Sequence, residues 1–213
     1  VKEGWQQRLR FLRPLPLIAV VRSADPTAAI AQADRYVSAG LTCLEVTWST
    51  PDAAAIIRHL QQQYPHCTIG AATLRTTAML DAALVAGAQF LVSPHTAVDF
   101  IPHAQAAHVP LILGALTPTE IVQAWQAGAD AVKVFPVMAL GGAAYVRMLR
   151  QPFPDIPLIP CGGIPWSEVI PLLRAGAIAI GMGSQLSQGL TPSELTTQVH
   201  QIRHECQQLG IGF

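Results

Sequence analysis

The chain has 213 residues, of which 51% are hydrophobic, enough to bury one domain-sized core without disulfides or a structural metal. Charged residues make up only 12% and sum to a formal net charge of zero, which argues against a nucleic-acid face or a polybasic membrane patch and favours a small molecule as partner. Cys43, Cys67, Cys161 and Cys206 form no Cys-x-x-Cys pair, and the N-terminal stretch is polar and amphipathic, so a soluble, cytoplasmic chain with free thiols and no export signal is expected.

In chain order, residues 5–12 suggest a short helix able to cover the floor of whatever follows. Eight strand-like runs come next: residues 15–22, 43–49, 68–74, 90–94, 111–115, 131–136, 158–163 and 177–184. Four are preceded by the same join, Ala39-Gly40, Ala86-Gly87, Ala127-Gly128 and Ala175-Gly176, where glycine suits the left-handed residue that ends a helix. Between the runs lie helical spacings, several opened by capping pairs: Asp25-Pro26, Thr50-Pro51, Thr117-Pro118 and Thr191-Pro192. Near-continuous Val, Ile, Leu and Ala in the strands indicate a parallel sheet covered on both faces. An open doubly wound sheet shares this alternation, but eight similar units in this length favour an α/β fold of the (β/α)8 barrel type. The expected organisation is one domain over residues 1–213, with an N-terminal helix in 1–14, the barrel in 15–190 and a C-terminal helix in 191–213.

Barrels of this kind carry their sites at the carboxyl ends of the strands. There, Lys133 stands in the apolar run Ala-Val-Lys-Val-Phe-Pro. Alternation separates it from Val132 and Val134, so a lysine facing the interior would be desolvated, its pKa lowered, and its neutral amine able to attack a carbonyl. A lysine snorkelling from a strand end or pairing with a buried acid is the plainer alternative. Glu45, sharing a strand face with Cys43 and Thr47, suits a proton shuttle beside an iminium, or else a structural ion pair with Lys133. Thr73 offers a hydroxyl at the barrel mouth. Two glycine-bearing loops, at Gly162-Gly163 and at Gly181-Met182-Gly183-Ser184, suit phosphate, because their backbone N–H groups can converge on an anion; tight turns alone would also use glycine there. His95 lies at the functional end and is either pocket lining or polar surface. His200 and His204 have helical spacing but no zincin context, so they read as a solvated face, and neither a metal nor a cofactor is assigned.

These residues fall in an ordered set of motifs: Leu44-Glu45-Val46-Thr47, Gly70-Ala71-Ala72-Thr73, Val92-Ser93-Pro94-His95, Val132-Lys133-Val134-Phe135-Pro136, Gly162-Gly163-Ile164 and Gly181-Met182-Gly183-Ser184. With them the chain resembles the 2-keto-3-deoxy-6-phosphogluconate (KDPG) and 4-hydroxy-2-oxoglutarate (KHG) aldolase family from about Leu15 to Leu190. The resemblance implies a class I aldolase that forms a Schiff base on Lys133 and uses Glu45 as general acid and base. It implies Thr73 near the pyruvate carboxylate, and Gly162, Gly163 and Ser184 at the phosphate. Pro94, Phe135 and Gly183, inside the same motifs, join the expected substrate-binding set. It further implies cleavage to pyruvate plus glyceraldehyde 3-phosphate or glyoxylate, a place in carbohydrate metabolism of the Entner-Doudoroff type, and a homotrimer.

Three positions depart from the family pattern. Ser49 stands where many members carry an arginine for the substrate carboxylate, and Arg22, ending the first strand, is the expected replacement. Cys161 takes the place of a threonine. Val137 and Met138 follow Phe135-Pro136 where a small residue and a glutamate are usual, which is expected to make that rim more apolar. The alternatives are a phosphogalactonate-type aldolase of opposite C4 stereochemistry, a metal-dependent class II enzyme, and a phosphate-binding barrel without catalysis.

Overall fold

The computed structural model describes residues 4–210. It contains eight parallel strands, β1 (Leu17–Val21), β2 (Cys43–Thr47), β3 (Thr68–Ala72), β4 (Leu91–Val92), β5 (Leu111–Ala115), β6 (Ala131–Val134), β7 (Leu158–Pro160) and β8 (Ile180–Met182). Their order is β7-β6-β5-β4-β3-β2-β1-β8, and a parallel bridge from Cys161 to Gly181 joins the two ends. The result is the expected (β/α)8 barrel. Around it run α2 (Pro26–Ser38), α3 (Ala53–Gln63), α4 (Thr77–Val85), α5 (Ile101–Ala106), α6 (Pro118–Ala127), α7 (Ala143–Arg150), α8 (Trp166–Arg174) and α9 (Pro192–Gln208), preceded by the short α1 (Trp5–Arg8).

The joins between helix and strand follow the sequence. At Ala39-Gly40 the Gly40 N–H donates to Val37 and the Leu41 N–H to Tyr36, with Gly40 at φ +94°, and the same doubled pattern recurs at Gly87, Gly128 and Gly176. Each closes its helix by satisfying two carbonyls that would otherwise lack donors. A fifth copy, which the sequence hides, has His108 in the glycine place at φ +56°. At the opposite end, Asp25 caps α2, while Thr117 with Glu120 and Thr191 with Glu194 form capping boxes on α6 and α9. Thr50-Pro51 does not cap α3. That helix begins at Ala53 after a left-handed Asp52, and the Thr50 hydroxyl instead meets Thr47 Oγ1 at 3.0 Å. Strand β4 is also shorter than its apolar run, because the chain at Pro94 and His95 folds across β5, where Gly114 has no side chain to obstruct it.

Two apolar layers result. One lies between the strands and the outer helices. The other fills the barrel, from Leu9 and Leu12 below through Ile18, Phe90, Ile112 and Ile159. Gly70 makes space for Phe90, since a Cβ there would sit 2.5 Å from the ring, and Phe11 stacks on Phe90 with centroids 5.1 Å apart. The expected N-terminal cover is thus α1 plus a 3-10 turn at Arg10–Leu12, fastened where Arg8 donates to the Asp130 carboxylate and to the Val109 carbonyl. Among the described residues, no helix is long and apolar enough to cross a membrane.

Candidate active site

The packed layer leaves one end of the barrel open, the end from which strands lead into capped helices. A cleft of about 360 Å³ opens there, lined by Val20, Arg22, Gln32, Glu45, Lys133, Phe135, Cys161, Gly162, Gly163, Gly181, Gly183, Ser184 and Gln185. Strand register explains its centre. Glu45 pairs with Gly70 on β3 and Lys133 with Gly114 on β5; alternation along β2 and β6 turns both charged side chains inward, while the space at the two glycines is filled by the Phe90 ring and by the Pro94–His95 backbone, respectively.

Lys133 and Glu45 are 9% and 2% exposed, and their Nζ and Oε1 atoms lie 3.5 Å apart. The ammonium also sits 5.7 Å from the centre of the Phe135 ring. Burial is the largest single influence and pushes the Lys133 pKa down, as expected from sequence, but the opposing charges, that of the Glu45 carboxylate foremost, make the net direction up. The expectation of a lowered Lys133 pKa is therefore corrected: pairing with Glu45 outweighs desolvation here. The Cys161 thiol, also buried, is pushed up to about 11 and stays protonated near neutrality. A Cβ at Gly181 would lie 2.1 Å from Cys161 Sγ, so glycine there gives the sulfur its place.

Arg22 extends over the cleft, exposed, with Nη2 3.3 Å from Thr73 Oγ1. Thr73 holds a left-handed backbone at φ +61°, a conformation that costs energy in a β-branched residue and directs its hydroxyl to the guanidinium. Among the described residues no carboxylate lies within 4.0 Å of Arg22. Gly162 and Gly163, at φ +102° and +68°, lead from β7 toward α8, while Gly183 and Ser184 follow β8 on the adjoining wall. The cleft thus combines a buried amine and carboxylate, a cation near its rim, and a wall of backbone and hydroxyl groups.

Some expected residues lie elsewhere. Pro94 packs against Gly114, outside the lining, for the same backbone crossing that shortens β4. His95 is exposed, its Nδ1 3.1 Å from Ser93 Oγ, and His200 and His204 are exposed on α9. Ser49 donates to Thr47 Oγ1 rather than reaching the cleft. Val137 is fully buried and Met138 packs on the outer core, so the altered Val137-Met138 pair does not line the cleft. Sequence reasoning missed Gln32 and Gln185. Gln32 projects from the second turn of α2 toward the mouth, and no local pattern separates it from a solvated helix glutamine.

Comparisons with known proteins identify the family and the fold. Residues 9–201 match the family described as KDPG and KHG aldolase. The chain is 37% identical over 155 residues to a 2-dehydro-3-deoxy-phosphogluconate aldolase of Pseudomonas aeruginosa, covering 73% of this chain and 69% of that one. To a 2-dehydro-3-deoxy-6-phosphogalactonate aldolase of Escherichia coli it is 30% identical, covering 89% and 93%. Among solved structures it resembles a 2-keto-3-deoxy-6-phosphogluconate aldolase of Zymomonas mobilis with 3-phosphoglycerate, with a TM-score of 0.80, 26% identity and coverage of 94% and 96%.

Proposed function

The chain belongs to the KDPG and KHG aldolase family, and on that premise we propose that it is a class I aldolase whose Lys133 forms a Schiff base with a 2-oxo acid. The observation that carries this is the buried Lys133–Glu45 pair at 3.5 Å, opening to a cleft beneath Arg22. The ammonium first passes its proton to Glu45, and the freed amine adds to the C2 carbonyl of the substrate. Glu45 returns a proton to the departing oxygen, water leaves, and an iminium remains. The iminium accepts the electron pair of the C3–C4 bond while Glu45 takes the C4 hydroxyl proton. An aldehyde departs and an enamine is left on Lys133. Protonation of C3 and hydrolysis of the imine then free pyruvate and restore the amine. Arg22, backed by Thr73, neutralises the C1 carboxylate, and Gly162, Gly163, Gly183 and Ser184 receive a phosphate at the other end.

KDPG, cleaved to pyruvate and glyceraldehyde 3-phosphate, is the substrate we favour, since the glycine-rich wall and the 3-phosphoglycerate of the Zymomonas relative point to a phosphorylated ligand. KHG, cleaved to glyoxylate, is the shorter alternative. The near-full-length likeness to the Escherichia coli phosphogalactonate aldolase supports a further reading, in which the C4 epimer is preferred. Comparing kcat/KM on the two phosphorylated epimers and KHG separates the three. A cytoplasmic homotrimer is the accompanying expectation, checked by light scattering and by fractionation.

The chemistry is tested by incubating the protein with pyruvate, reducing with borohydride and mapping the adduct by mass spectrometry. A reduced pyruvate on Lys133, absent from Lys133→Ala, supports the reading. Folded wild-type protein with unmodified Lys133 would overturn it and favour a non-catalytic phosphate binder.

A further inference from the structure

On the α2 side of the cleft, one chain of hydrogen bonds links the β1 end to the loop after β8 without passing through Lys133 or Glu45. Gln32 Oε1 accepts from the Arg22 backbone N–H at 2.9 Å, Gln32 Nε2 lies 2.9 Å from Tyr36 Oη, and Tyr36 Oη lies 3.2 Å from Ser187 Oγ. The directions of the first two bonds follow from chemistry. The Arg22 amide can only donate, so it fixes the Gln32 oxygen toward β1 and leaves the NH2 to donate to the phenol. Between the phenol and the Ser187 hydroxyl either group can donate. Tyr36 is fully buried, and burial, opposed by these hydrogen bonds, raises its pKa and keeps it protonated.

Both ends are attached to cleft-forming loops. Arg22 ends β1 and carries the guanidinium. Ser187 ends the turn that bears Ser184, its N–H donating to the Ser184 carbonyl, and Arg35, beside Tyr36 on α2, donates to Leu190 farther along the same loop. Gln32 and Tyr36, four residues apart on one helix, therefore stand between the β1 end and the β8 loop.

We infer that Tyr36 and Ser187, held through Gln32, are positioning residues that fix the β8 loop relative to Arg22 and so set how well the site accepts a phosphorylated rather than a short 2-oxo acid. The inference rests on the functional reading above. Neither Tyr36 nor Ser187 lines the cleft, so their effect passes through the loop. Tyr36→Phe removes one of the β8 loop's fastenings, leaving those from Arg35 to Leu190 and from Trp166 to Leu186, and leaves Gln32 on Arg22, which separates the phosphate end from the carboxylate end.

The experiment compares wild type, Tyr36→Phe, Ser187→Ala and the double variant on KDPG, on KHG and in borohydride trapping of pyruvate. Each single variant should raise KM for KDPG about threefold to tenfold, the equivalent of one lost hydrogen bond. KM for KHG and the rate of pyruvate trapping should stay at wild-type values. The double variant should be no worse than either single one, as expected for partners in one contact. Equal losses on both substrates with a lowered Tm would reduce the chain to ordinary stability, and unchanged KDPG kinetics in Ser187→Ala would remove it altogether. Wild type that traps no pyruvate would sink the functional reading and this inference together; wild type that traps pyruvate while the variants match it on KDPG would sink only the inference.

Discussion

The two ends of the barrel are built by different rules. At the floor, helices turn into strands through one repeated device, a left-handed residue with doubled N–H donation, at Gly40, Gly87, His108, Gly128 and Gly176, while Leu9, Leu12 and Phe11 seal the interior. At the mouth the loops are more varied: a cap at Asp25, a left-handed Asp52 and Thr73, capping boxes at Thr117 and Thr191, and a glycine pair after β7. Repetition marks the end whose task is packing, and individuality the end whose task is chemistry. The sealed floor also matters to the mouth, because it keeps bulk water from reaching the Lys133–Glu45 pair from below and so strengthens their interaction at 3.5 Å.

The largest expected effect comes from breaking the mouth at its centre. Glu45→Gln should lower kcat/KM by about 10²–10⁴-fold, the range for a lost general acid–base group. It also removes the charge that holds the Lys133 pKa up, leaving burial to push it down. The pH for half-maximal pyruvate trapping should therefore move lower in the variant even as turnover falls. An unchanged or higher trapping pH would show that Glu45 does not set the protonation of Lys133.

At the floor the same size of energy should appear only as stability. Leu12 is fully buried, and Leu12→Ala should cost about 2–5 kcal/mol in unfolding free energy while leaving KM for KDPG within about twofold. Denaturant melts and steady-state kinetics on the same preparation check both halves. A variant that loses affinity along with stability would mean that floor and mouth are coupled more tightly than their separate construction implies.

Arg22→Ala should act at the mouth alone and more modestly. The loss of one charge-assisted contact, about 1.5–3 kcal/mol, should raise KM for all three 2-oxo acids about tenfold to a hundredfold, with no difference between the phosphorylated and short ones. Unchanged KM for every substrate would mean that another group takes the carboxylate.

Much of this contrast was legible in the sequence, but unevenly. The floor announced itself, because helix stops by Ala-Gly are local chemistry repeated four times. The fifth join stayed hidden because His108 replaces the glycine. Lys133 and Glu45 were visible because an ionisable group in an apolar strand is unusual wherever it occurs. Their mutual effect was not, since 88 residues separate them in the chain and only the closed barrel brings them within 3.5 Å. Thus the expected downward shift of Lys133 came out reversed. Pro94 and His95 sat at the right end of the right strand, yet the crossing of β5 over Gly114, a tertiary event, turned them away from the cleft.

The smallest expected effect gives the sharpest form of the comparison, because one backbone conformation occurs at both ends. His108 and Thr73 hold φ of +56° and +61°, each costing about 1–2 kcal/mol relative to the ordinary helical region. Glycine relieves that cost but makes the unfolded chain more flexible, by about 0.5–1 kcal/mol, so each substitution should gain about 0.5–1 kcal/mol of stability. At His108, exposed at a floor join whose four counterparts already have glycine, the gain should come with unchanged kinetics. At Thr73 it should come with a loss, because the hydroxyl beside Arg22 disappears and KM for the 2-oxo acid should rise about threefold. Urea midpoints paired with KM values decide it. If both variants gain stability and only Thr73→Gly loses affinity, the strain at the mouth is retained for binding; if Thr73→Gly binds as wild type does, that strain is the same local accident as at the floor.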